Sequence, residues 1–360
     1  MEKQVNNRMI TMARESREMT QASLARALGV TQGTLSKLEA GMVSCPADLL
    51  ARLATALDYP PSFFNSTKPL HGIGTGAHHL LYRKRALPAK TLKRIEAEIN
   101  LKRMHLEELL ASTEMESDLM LPRLDVEDFQ GDAAQVAQAV RITWNLPSGP
   151  IDNVTELIER AGIIIIEHDF GSDRVDATSL RCDGLPPMVF VSSGFPGDRL
   201  RFTLAHELGH LVMHTVPHPA VEDEANQFAA EFLMPASEIG HQLHRLDLSK
   251  AARLKPYWKT SMASLVYRAR ELGRITDSQF KYLFYQLSAS GMRTQEPSEL
   301  AIPKEQPTTH AALVDYFRLN LGYSIQELME LFRLNERDFS RHYVPTEPVS
   351  HLRLVTSDKS

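Results

Sequence analysis

The run TLAHELGH at residues 203–210 sets His206 and His210 four positions apart, with Glu207 directly after the first histidine. On a helix, positions i and i+4 project from one face, so both imidazoles can reach a single metal ion. Glu207 is then placed beside a water held by that ion. From there it can take the water's proton and later hand it to a leaving amine. The pattern alone is a weak signal. Its helical setting, its apolar flanks and a further carboxylate strengthen it. A catalytic zinc site needs a third protein ligand and an open position for water. His214 continues the i, i+4 series, but it lies about 12 Å along the helix from His206, too far to share its ion. It is expected at the helix end or behind a ligand. Glu222 is the better third ligand. In the run VEDEANQFAAEFLMP at 221–235 it shares a helical face with Asn226, Ala229 and Leu233, and small alanines there would let two helices approach closely. Glu224 points about 200° away from Glu222, so the two cannot ligate together. The plain alternative for Glu222 is a solvated carboxylate at a helix start, which is favourable in any case.

A second constellation is the run QASLARALGVTQGTLSKLEAG at 21–41. It reads as two short helices joined at Gly29, with Thr20 and Thr31 as N-caps and Gly29 and Gly41 as stops. Gly suits the joint because the turn can require positive φ. Ala25 is small where the helices would cross, and Val30, Leu35 and Leu38 would bury the second helix. Its other face carries Gln32, Thr34, Ser36 and Lys37, side chains suited to base edges and phosphates. An ordinary helical hairpin is the competing reading.

The chain that must position these groups has 360 residues, 43% hydrophobic and 24% charged, enough for two or three domains. A net charge of −5 confines any DNA affinity to a local basic patch. Two distant cysteines, Cys45 and Cys182, without CxxC spacing, fit a reducing cytosol. The polar N-terminus and the lack of a long apolar run predict a soluble, cytoplasmic protein. Helical spacing continues through Leu49, Leu50, Leu53 and Leu57, Pro60 and Pro61 break it, and a glycine-rich linker follows at 70–76. From 82 to 110 comes a mixed-charge helical stretch with Arg83, Lys84, Arg85, Lys90, Lys93, Arg94, Lys102 and Arg103. It reads as a solvated helix face or as an arm that touches phosphate or positions a dimer. Helices are expected at 133–144 and 151–161, the latter ended by Gly162. Strands at 163–167, 178–181 and 188–191 have the glycine and proline boundaries of a hairpin or meander. Asp198 could cap the helix carrying His206, and a second helix runs from 222 to 233. Helical patterning resumes after 246, with a proline-containing break at 296–307.

Two resemblances follow from these residues. The match at Gln21, Leu24, Ala25, Gly29, Thr31, Leu35, Ser36, Glu39 and Gly41 resembles the XRE-type, phage-repressor-like helix-turn-helix family. It implies that Gln32 and Ser36, with Lys37 nearby and Thr34 on the same face, meet the major groove of an operator duplex, while Gln21 and Thr31 approach phosphate. It also implies a homodimer. Gly33 is bland where many relatives place a reading side chain. The runs RFTLAHELGH at 201–210 and EDEANQFAAEFLMP at 222–235 resemble the ImmA/IrrE metallopeptidases. In that family the glutamate four before the asparagine completes the site, which here is Glu222. The implied activity is limited proteolysis of a repressor, often one with this same helix-turn-helix.

The expected architecture is multidomain and mainly α: a helix-turn-helix domain at 1–68, a linker and basic helical segment at 69–124, an α+β zincin-like peptidase domain with a small sheet at 125–245, and a C-terminal helical region at 246–360. The expected function is a DNA-binding transcriptional regulator carrying a zinc endopeptidase that cuts a repressor-type protein or itself. His206, His210 and Glu222 would hold one Zn²⁺ per chain, with Mn²⁺ left open, and Glu207 would act as base and acid. The alternative is a non-proteolytic regulator or antitoxin-like protein whose metal site is structural or sensory. Residues 255–270 read as a packed helix with basic exposure or, alternatively, as the lining of a substrate groove, and His168, Arg199 and Tyr267 stand unranked as groups to face a developing oxyanion.

Overall fold

A computed structural model describes residues 5–68, 70, 87–216, 218–343 and 354–356. The stretch 71–76 and the cations Arg83, Lys84 and Arg85 lie outside them. The fold is mostly helical, with a small sheet in its middle, and it divides into two compact units. One comprises Met1–Gly74, Leu81–Glu116 and Thr308–Ser360, the other Thr75–Leu80 and Ser117–Pro307.

The first unit opens with α1 (Asn7–Ser16), α2 (Gln21–Leu28), α3 (Gln32–Glu39) and α4 (Ala47–Leu57). Asn6, Thr20 and Thr31 each cap the following helix by accepting a backbone N–H on the side-chain oxygen. Gly29 closes α2 in the left-handed region at φ 64°, which a residue with a Cβ resists. Met9, Ile10, Leu24, Leu28, Leu35, Leu38 and Leu53 meet in the core, while Val30 is half-buried. A 3-10 turn at Pro61–Asn65 drives Phe63 and Phe64 into that core.

The long helix α5 (Ala89–Leu110) corrects the sequence expectation for the basic stretch. It is no solvated face: Ile95, Ile99, Leu106 and Leu109 are buried, and so are Arg94, Lys102 and Arg103. Arg94 and Arg103 are paired one turn on, with Glu98 and Glu107. The reason is a partner distant in sequence. The chain returns after the second unit as α14 (Thr309–Leu319), α15 (Ile325–Phe332) and α16 (Glu336–His342), and α14 and α15 pack on α5, as α1 does. A short strand β1 (Thr113–Met115) pairs antiparallel with β5 (Leu354–Thr356). Residues 246–360 are therefore shared between the two units.

Most of the second unit, Ser117–Pro307, follows β1 along the chain. It contains α6 (Ala133–Thr143), α7 (Val154–Arg160), β2 (Ile164–His168), β3 (Ala177–Leu180), β4 (Met188–Ser192), α8 (Gly197–Met213), α9 (Val221–Leu233), α10 (Ala236–Ile239), α11 (Leu248–Trp258), α12 (Met262–Glu271) and α13 (Asp277–Ala289). The strands do not form a meander. Their order is β2-β4-β3, with β2 parallel to β4 and β3 antiparallel to it. All three are buried nearly throughout, and Ile164, Ile165 and Ile166 run apolar without alternation, as strands covered on both faces do. Asp198 is not the cap of α8 either. Pro196 holds the cap position, and Asp198, inside the first turn, pairs with buried Lys255. The break at 296–307 is tied to the same helix. Glu305 pairs with Arg201 and accepts from Thr155 N and Oγ1 at 2.9 and 3.0 Å, while Glu296 pairs with Lys255 at 2.6 Å.

In the first unit His105 is buried against the Phe332 ring, with Nδ1 2.6 Å from the Tyr343 hydroxyl. Burial first, then the positive charges of His342 and His310, pull its pKa from 6.5 to about 3. The folded chain keeps it neutral, whereas the unfolded chain protonates it from 6.5 downward. Stability is thus full above that value and falls as acid approaches the folded pKa. Thermal unfolding between pH 7 and about 5 should show this loss, and His105→Phe, which keeps a ring on Phe332, should lessen the slope. Equal slopes in the two proteins would rule His105 out as a contributor.

Candidate metal centre and DNA-reading face

Helix α8 is buried on nearly every side, which removes its polar groups from water and obliges each to find a partner in the protein. His206 and His210, one turn apart, have their Nε2 atoms 3.0 Å from each other. Helix α9 runs alongside and brings Glu222 in from its first turn, its two oxygens each 3.6 Å from one of those nitrogens. Donor atoms around a tetrahedral zinc stand about 3.3 Å apart, given bonds of about 2.0–2.1 Å. The 3.0 Å between the two nitrogens and the 3.6 Å from each nitrogen to its nearer carboxylate oxygen bracket that spacing. Two imidazoles and one carboxylate are also the donor chemistry zinc takes at three-ligand sites. Glu207 is buried on α8 directly beside His206.

The close approach has a visible cause. A Cβ on Gly209 would stand 3.1 Å from Cδ1 of Phe228, closer than side chains ordinarily pack. With Ala225 and Ala229 also fully buried, α9 settles close onto α8, the Phe228 ring resting in the space Gly209 leaves.

Both histidines are held from behind. His206 Nδ1 lies 3.0 Å from Oδ1 of Asn226, one turn after Glu222 on α9. It donates there, which leaves Nε2 as the lone-pair nitrogen facing His210 and Glu222. His210 Nδ1 lies 2.8 Å from Nδ1 of His214, whose Nε2 is 2.9 Å from Oε2 of Glu224. His214 thus ends α8 without joining the triangle, and Glu224 serves the opposite face from Glu222. Burial holds the His214 imidazole below its ordinary pKa despite the hydrogen bond to Glu224. The sequence flagged Asn226 only as a face-mate of Glu222. Its service to His206 could have been found from the i, i+4 step.

A cleft of about 800 Å³ takes in Asn226 and continues over Phe202, Ala230, Met234, Tyr267 and Arg270. Of the three unranked groups, Tyr267 is exposed and lines this cleft. Arg199 is engaged by both oxygens of Asp176 at 2.8 Å and lies over the Phe195 ring. His168 is buried against the rings of Phe170 and Phe190. Within 255–270, Lys255 and Arg268 are internal, paired with Asp198 and Glu231, and the cleft is lined from this stretch by Ala263, Ser264 and Arg268 together with the exposed Tyr267 and Arg270.

On the other unit, α3 presents Gln32, Thr34 and Lys37 to solvent, with Ser36 half-buried. Thr31 spends its oxygen on the cap of α3 and lies 2.8 Å from the Thr34 hydroxyl. Gln21 gives its amide to Glu39 at 2.8 Å and accepts from Gln32 at 3.3 Å. Glu39 is itself buried and gripped by Arg14 through two contacts of 2.6 and 3.1 Å. Gln21, half-buried at the start of α2, therefore braces α2 against the α3 carboxylate that Arg14 holds to α1.

These two sites fall within the two regions that known families match. A helix-turn-helix family model matches residues 10–64, and a peptidase family model described as an IrrE N-terminal-like domain matches residues 158–270. No curated protein matches the chain. Among the described residues, no helix is long and apolar enough to cross a membrane.

Gly209→Ala tests the approach of the helices. The gain in helix propensity is about 0.5–1 kcal/mol, while overpacking against Phe228 costs about 1–3 kcal/mol. A net loss of stability of about 1 kcal/mol is expected by denaturant unfolding, with recovery in the Gly209→Ala, Phe228→Leu double variant. A Gly209→Ala protein more stable than the parent would show that the glycine does not limit the approach.

Proposed function

We propose that this chain, which joins a helix-turn-helix DNA-binding domain to an IrrE-like metallopeptidase domain, is a transcriptional regulator acting through zinc-dependent endopeptidase chemistry. The convergence of the donor atoms of His206, His210 and Glu222 carries the proposal. Zinc held by these residues would lower the pKa of a bound water towards about 7 and polarise the scissile carbonyl. Glu207, adjacent to His206, takes the proton of the attacking water as the new C–O bond forms. It returns that proton to the amide nitrogen as the C–N bond breaks. Asn226 and His214 fix which nitrogen each metal-binding histidine presents. The cleft containing Tyr267 and Arg270 suits an extended peptide. Its occupant is a repressor-type protein or the chain itself.

At the DNA, Gln32, Thr34, Ser36 and Lys37 of α3 enter the major groove, and Gln21 and Thr31 approach phosphate. The chain binds its operator as a homodimer. Lys37→Ala should weaken binding to a duplex selected by the parent protein from a random pool, and should reduce the salt slope by about one counterion. An unchanged salt slope would remove Lys37 from the phosphate contacts.

Elemental mass spectrometry on protein purified without added metal tests the centre. About one zinc per chain is expected in the parent and in Glu207→Gln, and much less in Glu222→Ala. Asn226→Ala should weaken zinc binding by about 10–100-fold, since His206 loses its orienting partner. Glu207→Gln should keep DNA binding and lose cleavage. Full regulatory activity of Glu207→Gln in cells would overturn the proteolytic role and leave a structural or sensory metal. A well-folded parent that takes up no zinc, even when supplied, would overturn the enzyme.

A further inference from the structure

Behind the first triangle lies a second, made of His214 at the end of α8, His218 in the connection to α9, and Glu224 in the first turn of α9. Glu224 Oε2 is 2.9 Å from His214 Nε2 and 3.5 Å from His218 Nε2. Both separations, which share one carboxylate oxygen, lie near the roughly 3.3 Å edge of a tetrahedral zinc site. The rings of His210, His214 and His218 follow one another at centroid distances of 4.9 and 5.5 Å. The His218 side chain is 39% exposed, against 5% for His214. An ion can therefore enter from solvent on the His218 side and keep water on its open position.

We propose that His214, His218 and Glu224 form a second zinc site, weaker than the first, and that filling it opposes the first. The opposition rests on the assignment of His210 as a ligand in the proposed function, and it follows from counting protons. A histidine that binds metal through Nε2 carries its proton on Nδ1. His210 must then donate from Nδ1 to His214 Nδ1, so His214 carries its own proton on Nε2 and donates it to Glu224. That is the nitrogen the second ion needs. Zinc on His214 Nε2 moves the His214 proton to Nδ1, where it meets the Nδ1 proton of His210 at a heavy-atom distance of 2.8 Å. The hydrogen bond that orients His210 is lost, and two dications come to share one relay. Zinc in excess therefore loosens the ion in the first triangle, and the centre carries its own response to zinc supply.

Zinc titration of the full chain, by calorimetry with elemental analysis after gel filtration, distinguishes the two sites. The parent should take up two equivalents, the second more weakly. His218→Ala, altered at the exposed member, should take up one with unchanged affinity for the first. Glu222→Ala should keep the second site and bind there at least about fivefold tighter than the parent binds its second equivalent, because His210 is free to accept from His214. A single equivalent in both the parent and His218→Ala would overturn the second site and leave the first standing. Two equivalents in His218→Ala would also overturn it. Equal second-site affinity in the parent and Glu222→Ala would overturn the opposition. One zinc in Glu222→Ala and the parent, lost in His218→Ala, would instead remove the first triangle and leave the second.

Discussion

The distance at which α9 lies along α8 governs the arrangement of this molecule's chemical groups. One helix can offer two imidazoles to an ion through its own repeat, but the third donor must come from outside, and a glutamate side chain reaches only a few ångströms. Helix pairs ordinarily stand about 8–10 Å apart, set by the side chains between them. Gly209 removes the side chain from α8 where the Phe228 ring presses in. Once α9 is that close, its first two turns serve α8 on two faces. Glu222 reaches the Nε2 side of His206, Asn226 reaches its rear Nδ1, and Glu224 reaches His214 at the end of the helix. The cost of burying polar groups is met by the same approach, because each imidazole finds a partner on its rear nitrogen.

A helix buried this completely cannot be held by an apolar stripe alone. Helix α8 carries Asp198 and Arg201 inward, and their partners come from distant stretches: Lys255 on α11 and Glu305 in the irregular segment before the chain leaves the unit. A buried pair of this kind adds little net stability, yet losing one partner strands a charge at a cost of about 3–5 kcal/mol. The pairs therefore specify where α8 sits more than they strengthen it. The helix-turn-helix uses the same device, with Glu39 gripped by Arg14 and bonded to Gln21, so that α3 keeps a fixed angle to α1 and α2.

What the sequence revealed is local in origin. The caps at Thr20 and Thr31, the left-handed Gly29, the helix through His206 and His210, and the opposed directions of Glu222 and Glu224 all follow from spacing within one or two turns. What it concealed depends on partners far along the chain. Helix α5 looked solvated because its cations dominate its composition, whereas its burial comes from α1 and from α14 and α15, the last two about two hundred residues later. The strand order β2-β4-β3 was hidden because glycine and proline mark where strands end and say nothing about which strands pair. Asp198 resembled a cap because it stands at a helix start, and its buried partner Lys255 is visible only in three dimensions.

The rear of the centre illustrates why spacing alone ranks ligands poorly. Four histidines recur every four residues from 206 to 218, and on a continued helix they would form one stripe. The helix ends at His214, whose backbone turns extended, so the stripe is cut between its second and third members. The first two converge on Glu222 and the last two on Glu224. Two carboxylates on opposite faces of α9 thereby divide one histidine series into two groups, which meet at the Nδ1 atoms of His210 and His214. Such a junction transmits a change of proton position, because each of these imidazoles has one nitrogen in its own group and the other at the junction, and neutral imidazole carries a single proton.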